Sequence, residues 1–152
     1  LKGFFGAISD EPVTYVNAPQ LAKEHGVEVR DVNCATAADY VNLLTLRGGE
    51  HSISGTLSGP RNDQRIVNID NIPFDVPPAD HMVVITNDDR PGVIGTVGTL
   101  LGSAEVNIAD MDVSRVEGSG TAVMLIAPTA VVPEATLAAL RAAPGIIDIK
   151  TL

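Results

Sequence analysis

Asn87-Asp88-Asp89-Arg90-Pro91-Gly92 sets two carboxylates, an amide, a proline and a glycine side by side. The apolar run Met82, Val83, Val84, Ile85 leads into this stretch. After it, Val93, Ile94, Val97, Leu100 and Leu101 recur at helical spacing. The pattern is a strand-to-helix junction with Pro91 near the first helical position, where a missing N–H costs little. Gly92 carries no side chain to keep a small molecule from the backbone. The N–H groups of Gly92 and Val93 open a helix whose free donors and positive dipole suit a carboxylate. Asp89 beside them suits an ammonium group. A cation acceptor next to anion donors is what a free amino acid requires. Val106-Asn107-Ile108-Ala109 opens the next strand about fifteen residues later. A strand-helix-strand unit of that length is expected to return its third segment beside the first, so that Asn107 faces the same site as Asp89.

The elements that must position these residues are read from periodicity. Residues 81–87 form an apolar strand, 91–103 an amphipathic helix and 107–116 a strand with Ile108, Met111 and Val113 apolar. Glu117-Gly118-Ser119-Gly120 is a hairpin turn by composition, and Thr121 to Ala127 a buried strand. Pro133-Glu134 starts a second helix that Pro144-Gly145 ends, and Ile146 to Lys150 is the last strand. The order βαββαβ predicts a split-βαβ sandwich of four strands and two helices, a small sheet expected to pair with a second copy.

Pro77-Pro78-Ala79-Asp80 disfavours helix and central strand alike and predicts a stiff connector over 77–80. It separates a domain over 1–76 from one over 81–152. In the first, Leu1 to Ile8 reads as a strand, and Asn17 caps a helix over 18–25 with Pro19 in its first turn and Gly26 at its end. Val27 to Val32 alternates. Tyr40 to Arg47, Gly48-Gly49 and His51 to Leu57 read as a hairpin, with extended segments at Gln64 to Ile69 and Ile72 to Val76. One helix on a mixed or antiparallel sheet is expected, and the fold class is α+β throughout.

With 152 residues, 45% hydrophobic and 19% charged, the chain is globular rather than disordered, and no apolar run approaches the ~20 residues that span a bilayer. No basic leader precedes an apolar stretch, and the first residue is Leu1, which favours a fragment of a longer protein. A net charge of −9, from ten basic and nineteen acidic residues, repels phosphate backbones. The five aromatics (Phe4, Phe5, Tyr15, Tyr40, Phe74) form no stacking platform, so nucleic-acid binding is not expected. Cys34, the single cysteine, excludes an intrachain disulfide, fits a reducing, cytoplasmic setting and reads as a small buried hydrophobe. His25, His51 and His81 share no metal-ligand spacing, and neither Asp88/Asp89 nor Asp110/Asp112 brings the ligand count calcium needs.

Two resemblances cover essentially the whole chain. Asp89-Arg90-Pro91-Gly92, Val93-Ile94-Gly95 with Leu100-Leu101-Gly102, and Val106-Asn107-Ile108 resemble the ACT domain, a βαββαβ regulatory module that binds amino acids. Val16-Asn17-Ala18-Pro19 with Leu21-Ala22 and Gly26, Ser54-Gly55-Thr56-Leu57, Gly59 and Ile66-Val67 resemble the intervening, or allosteric substrate-binding, domain of long-form D-3-phosphoglycerate dehydrogenases. The resemblance implies the C-terminal regulatory portion of an enzyme that oxidises 3-phosphoglycerate with NAD in L-serine biosynthesis, with its catalytic domains upstream. Gly92-Val93-Ile94-Gly95 is not a dinucleotide fingerprint, so no NAD site, other cofactor or dehydrogenase activity is expected in this chain itself.

The resemblance further implies that L-serine, the effector, sits between two ACT domains. Asn87 and Asp89 would come from one copy, Asn107 from the other, and the backbone near Gly92 and Val93 would meet the carboxylate. Asn87 stands where relatives carry His or Tyr. Relatives' first domains bind anions through basic residues, and Arg61 and Arg65 are the candidates here. One or two arginines on a strand are more often a solvated edge. Two other readings stay open: the regulatory half of an iron–sulfur L-serine dehydratase, and a catalytic domain with an unrecognised site.

Overall fold

The computed structural model describes residues 1–30, 32 and 40–152, which fall into two compact units, Leu1–Thr36 and Ala37–Leu152. Cys34 lies outside the described residues.

The first unit holds helices α1 (Lys2–Ile8) and α2 (Ala18–Glu24). Leu1 to Ile8 is thus a helix and not the strand its aromatic and apolar content implies. Phe5 decides this: its fully buried ring packs on Leu21 and Ala22 of α2, with Val13 at the margin. One long-range apolar contact outweighs the low helix propensity of Gly3 and Gly6. Pro19 lies in the first turn of α2 and Gly26, at φ +67°, follows its end. Asn17 occupies the N-cap position, but its side chain turns backwards. Its Oδ1 accepts from the Thr14 N–H at 2.7 Å and its Nδ2 donates to the Pro12 carbonyl at 3.0 Å. Residues 27–30 and 32 form no regular element.

In the second unit, β1 (Leu44–Gly48), β2 (His51–Ser58), β3 (Asp63–Ile69) and β4 (Ile72–Val76) form an antiparallel sheet in sequential order. Gly48 pairs with His51 across a two-residue turn whose first member, Gly49, has φ +60°, a position suited to glycine. At the β3–β4 turn Asp70 and Asn71 both adopt positive φ, which short polar side chains tolerate best. The Asp70 carboxylate also accepts the Ser52 N–H at 2.6 Å and pairs with His51 Nδ1 at 2.8 Å, which stitches the turn to β2.

The second sheet follows the expected βαββαβ order: β5 (Val83–Asp88), α3 (Val93–Ser103), β6 (Ile108–Val116), β7 (Thr121–Pro128), α4 (Glu134–Ala142) and β8 (Ile146–Thr151). Its strands lie β6-β7-β5-β8, all antiparallel to their neighbours. Alternation gives each strand two faces. Val83, Ile85, Met124, Ile126 and Ile149 point to α3 and α4, where Val97, Leu101, Leu137 and Leu140 meet them. Val123, Leu125 and Ala127 point the other way and share a core with Ile66, Phe74 and Val76 of the first sheet. Each fully buried side chain of this size contributes about 1.5–3 kcal/mol. The connector Pro77–Asp80 therefore joins two sheets that are packed face to face within one unit.

The third segment of the strand-helix-strand unit does not return beside the first. The hairpin strand β7 occupies the place between β5 and β6. Because β5 and β6 both run antiparallel to β7, the start of β6 is level with the start of β5, near Pro128, and not with its end.

Candidate functional site

The end of β5 and the first turn of α3 carry most of the residues singled out from the sequence. Gly92 takes the N-cap of α3 at φ +94°, a left-handed conformation that glycine alone adopts without strain. The Thr96 N–H reaches the Gly92 carbonyl at 2.9 Å. The N–H groups of Val93, Ile94 and Gly95 have no hydrogen-bond partner among the described residues, and no side chain caps the helix. The donors expected for a carboxylate are thus unspent. Val93 itself is buried against the loop before β8, close to Gly145, whose carbonyl accepts the Asp88 N–H at 2.8 Å.

Asn87 lies on the same face of β5 as Val83 and Ile85, beneath the helices, and is 3% exposed. Its Nδ2 donates to the Asp88 carbonyl at 2.7 Å, while its Oδ1 is buried with no partner among the described residues. An orphaned buried acceptor of this kind costs about 1–3 kcal/mol, which a donor from a bound molecule would offset. Asp88 pairs with Arg90 at 2.6 Å. The Asp89 backbone is tied to the β6–β7 hairpin through the Gly120 carbonyl at 3.0 Å, and its carboxylate lies 2.9 Å from Arg115 Nε.

Asn107 is not part of this group within one chain. Its carbonyl accepts the Thr129 N–H at 2.9 Å, which places it beside the last residue of β7, whereas Asp89 sits beside the first. The two lie at opposite ends of the sheet because the helical crossover makes β5 and β6 parallel.

Arg61 and Arg65 are close to the β3 strand, and both guanidinium groups already face carboxylates. Arg65 meets Asp75 at 2.6 Å, a hydrogen bond that holds its pKa above the usual arginine value against the opposing effect of burial. Arg61 reaches Asp63 at 3.5 Å from a highly exposed position. Strand β4 is joined to β6 here: the Asp75 N–H donates to Asp112 Oδ2 at 2.8 Å and the Ser114 hydroxyl donates to the Pro73 carbonyl.

Arg115 was not among the residues singled out from the sequence. The signal lay in parity: Met111 and Val113 are on the helix-facing side of β6, so Arg115 shares that side. A cation in line with an apolar face, two residues before a glycine turn, is an anomaly of pattern. Among the described residues no group of three or more His, Cys, Asp or Glu is arranged to hold a metal ion, and no helix is long and apolar enough to cross a membrane.

Comparison with known proteins agrees with this architecture. The D-3-phosphoglycerate dehydrogenase intervening domain matches residues 1–70 and the ACT domain residues 81–145. D-3-phosphoglycerate dehydrogenase of Synechocystis is 37% identical over 100% of the chain, which spans 28% of that relative. The Bacillus subtilis enzyme is 32% identical over 100% of the chain and 30% of the relative, and that of Mycobacterium tuberculosis 37% identical over 82% and 25%. The chain thus spans less than a third of these relatives' length. It joins a D-3-phosphoglycerate dehydrogenase intervening domain to an ACT domain, and so belongs with the regulatory region of the long-form D-3-phosphoglycerate dehydrogenases.

Proposed function

We propose that the chain senses an amino acid, L-serine, at its ACT domain and regulates an NAD-dependent D-3-phosphoglycerate dehydrogenase whose catalytic domains lie in another part of the protein. The names of the relatives favour this enzyme over an iron–sulfur L-serine dehydratase. The observation that carries the sensing is the conjunction at the α3 start. Three backbone N–H groups, the buried Asn87 Oδ1 and the Asp89 carboxylate are all within a few residues of one another, and none is fully satisfied among the described residues.

Self-association supplies the missing member. β6 is an edge strand, and two β6 edges joined about a two-fold axis run antiparallel. The start of each then lies beside the end of the other. Asn107 of a second copy would arrive at the end of the sheet that holds Asp89, which a single chain cannot achieve. The site is therefore shared between two copies, and serine would favour the dimer.

Calorimetry with L-serine, paired with sedimentation, tests the proposal. The chain should be dimeric or larger, and Asp89→Ala should weaken serine about 10- to 100-fold, the scale of a charge-assisted hydrogen bond. Asn107→Ala should weaken it as well, whereas Arg61→Ala should change little. A dimeric chain that does not bind serine would overturn the sensing reading. A persistent monomer would overturn the shared site.

A further inference from the structure

Arg115, Ala122 and Asn87 form one row across three adjacent strands: Arg115 pairs with Ala122, and Ala122 pairs with Asn87. All three belong to the helix-facing side, at the end of the sheet where α3 begins. Ala122, between the two polar residues, contributes only a methyl group and is 1% exposed. The Arg115 Nε nonetheless lies 2.9 Å from the carboxylate of Asp89, which is held beside Gly120 at the tip of the β6–β7 hairpin. This contact is an ion pair without the alignment of a hydrogen bond. No hydrogen bond from the Arg115 guanidinium is formed among the described residues, and Asp89 is the carboxylate it faces. The result is a carboxylate with acceptor capacity to spare and a guanidinium with unspent N–H donors, side by side.

We propose that Arg115 belongs to the effector site and, together with the N–H groups at the start of α3, binds the carboxylate of a zwitterionic amino acid while Asp89 holds its ammonium. The proposal rests on the amino-acid-sensing reading above and assigns the charged residue that strengthens the site's choice of an amino acid over a simple amine. Selection is a physical need here. A chain of net charge −9 attracts amines and repels carboxylates, and the α3 N–H groups carry no full charge to offset that bias. A cation beside that carboxylate reverses the local bias against an anion. Arg90 is committed to Asp88 at 2.6 Å, which leaves Arg115 as the cation next to Asp89. Its planar fork matches a carboxylate as a lysine would not. In the β6-to-β6 dimer Arg115 would also lie between Asp89 and Asn107 of the second copy. A stabilising role for the pair does not account for it, because Arg115 is 81% exposed and exposed pairs of this kind contribute little to stability.

The test compares L-serine with ethanolamine, which is serine without its carboxylate, by calorimetry on the wild-type chain and on Arg115→Met and Arg115→Lys. The wild type should prefer serine over ethanolamine by about tenfold or more. Arg115→Met should lose that preference by weakening serine, with ethanolamine unchanged, and Arg115→Lys should fall between. An unchanged thermal midpoint in both variants is expected from the exposure of the side chain. Serine bound equally or more tightly by Arg115→Met would overturn the proposal while leaving the sensing reading intact. If the wild type binds no amino acid, the sensing reading fails and the role of Arg115 fails with it.

Discussion

Gly145 offers a measurement of how tightly the first turn of α3 is held. Its φ of +88° is left-handed, and a Cβ built there would stand 2.9 Å from Val93 Cγ2 and 3.5 Å from Arg90 Nη2. The second distance is ordinary contact; the first is not. Val93 is buried and β-branched, with one preferred rotamer in a helix, so it cannot swing away cheaply. The backbone conformation costs an alanine about 1–2 kcal/mol and the overpacking about 1–3 kcal/mol more. Gly145→Ala should therefore lose about 3 kcal/mol, or about 6–12 °C in thermal midpoint for a chain of this size. Gly92 supplies the control, since it has φ +94° but nothing within 4 Å of a built Cβ. Gly92→Ala should lose only the conformational part, about 1–2 kcal/mol. In a Val93→Ala background the cost of Gly145→Ala should drop towards that of Gly92→Ala, a coupling of about 1–3 kcal/mol in a double-mutant cycle read by urea denaturation. Equal losses at the two glycines, or a cycle without coupling, would refute the claim that the loop before β8 clamps Val93.

Two further outcomes follow from the second unit. The Ser52 N–H, and after it His51, hold the Asp70 carboxyl below its usual value of 3.8, so its folded pKa lies under its unfolded one. Its contribution to stability is complete above the unfolded value and disappears as pH falls through the folded one. Asp70→Asn should flatten the stability curve below about pH 4 in acid denaturation series and leave its shape near neutrality unchanged. Asp112→Ala should free the Asp75 N–H, cost about 1 kcal/mol and accelerate hydrogen exchange at that amide; unchanged exchange would show that the β4–β6 bond does not persist in solution.

The second half of the chain was legible because its strands and helices each bury a regular set of positions. The run Met82–Ile85, the helical spacing of Val93, Val97 and Leu101, and the glycines of the 117–120 turn all placed elements that the structure contains. Where reading failed, the cause was an interaction between distant residues. Leu1–Ile8 became a helix because Phe5 found Leu21 and Ala22, which no local propensity encodes. The expected adjacency of Asn107 to Asp89 within one chain does not hold, because the strand that separates β5 from β6 comes later in sequence than either. Of the candidate site, Asp89, Gly92 and the donors of α3 were visible as types at a junction. The burial of Asn87 Oδ1 and the meeting of Arg115 with Asp89 needed the sheet order, since each depends on which strand lies next to which.

The apolar outer face of the second sheet limits where such a module can be used. Val84, Val123, Leu125 and Ala127 face the β-meander and not water. That is why Thr121–Pro128 reads as an unbroken apolar run rather than an alternating one. A sheet domain with one wetted face can be attached to many hosts and work as a detachable part. This one cannot be moved alone without exposing a contiguous apolar patch, a liability for aggregation. Its portability is that of the pair: the sheet beneath Asn87 and the meander that covers it have to be inherited, and transplanted, together.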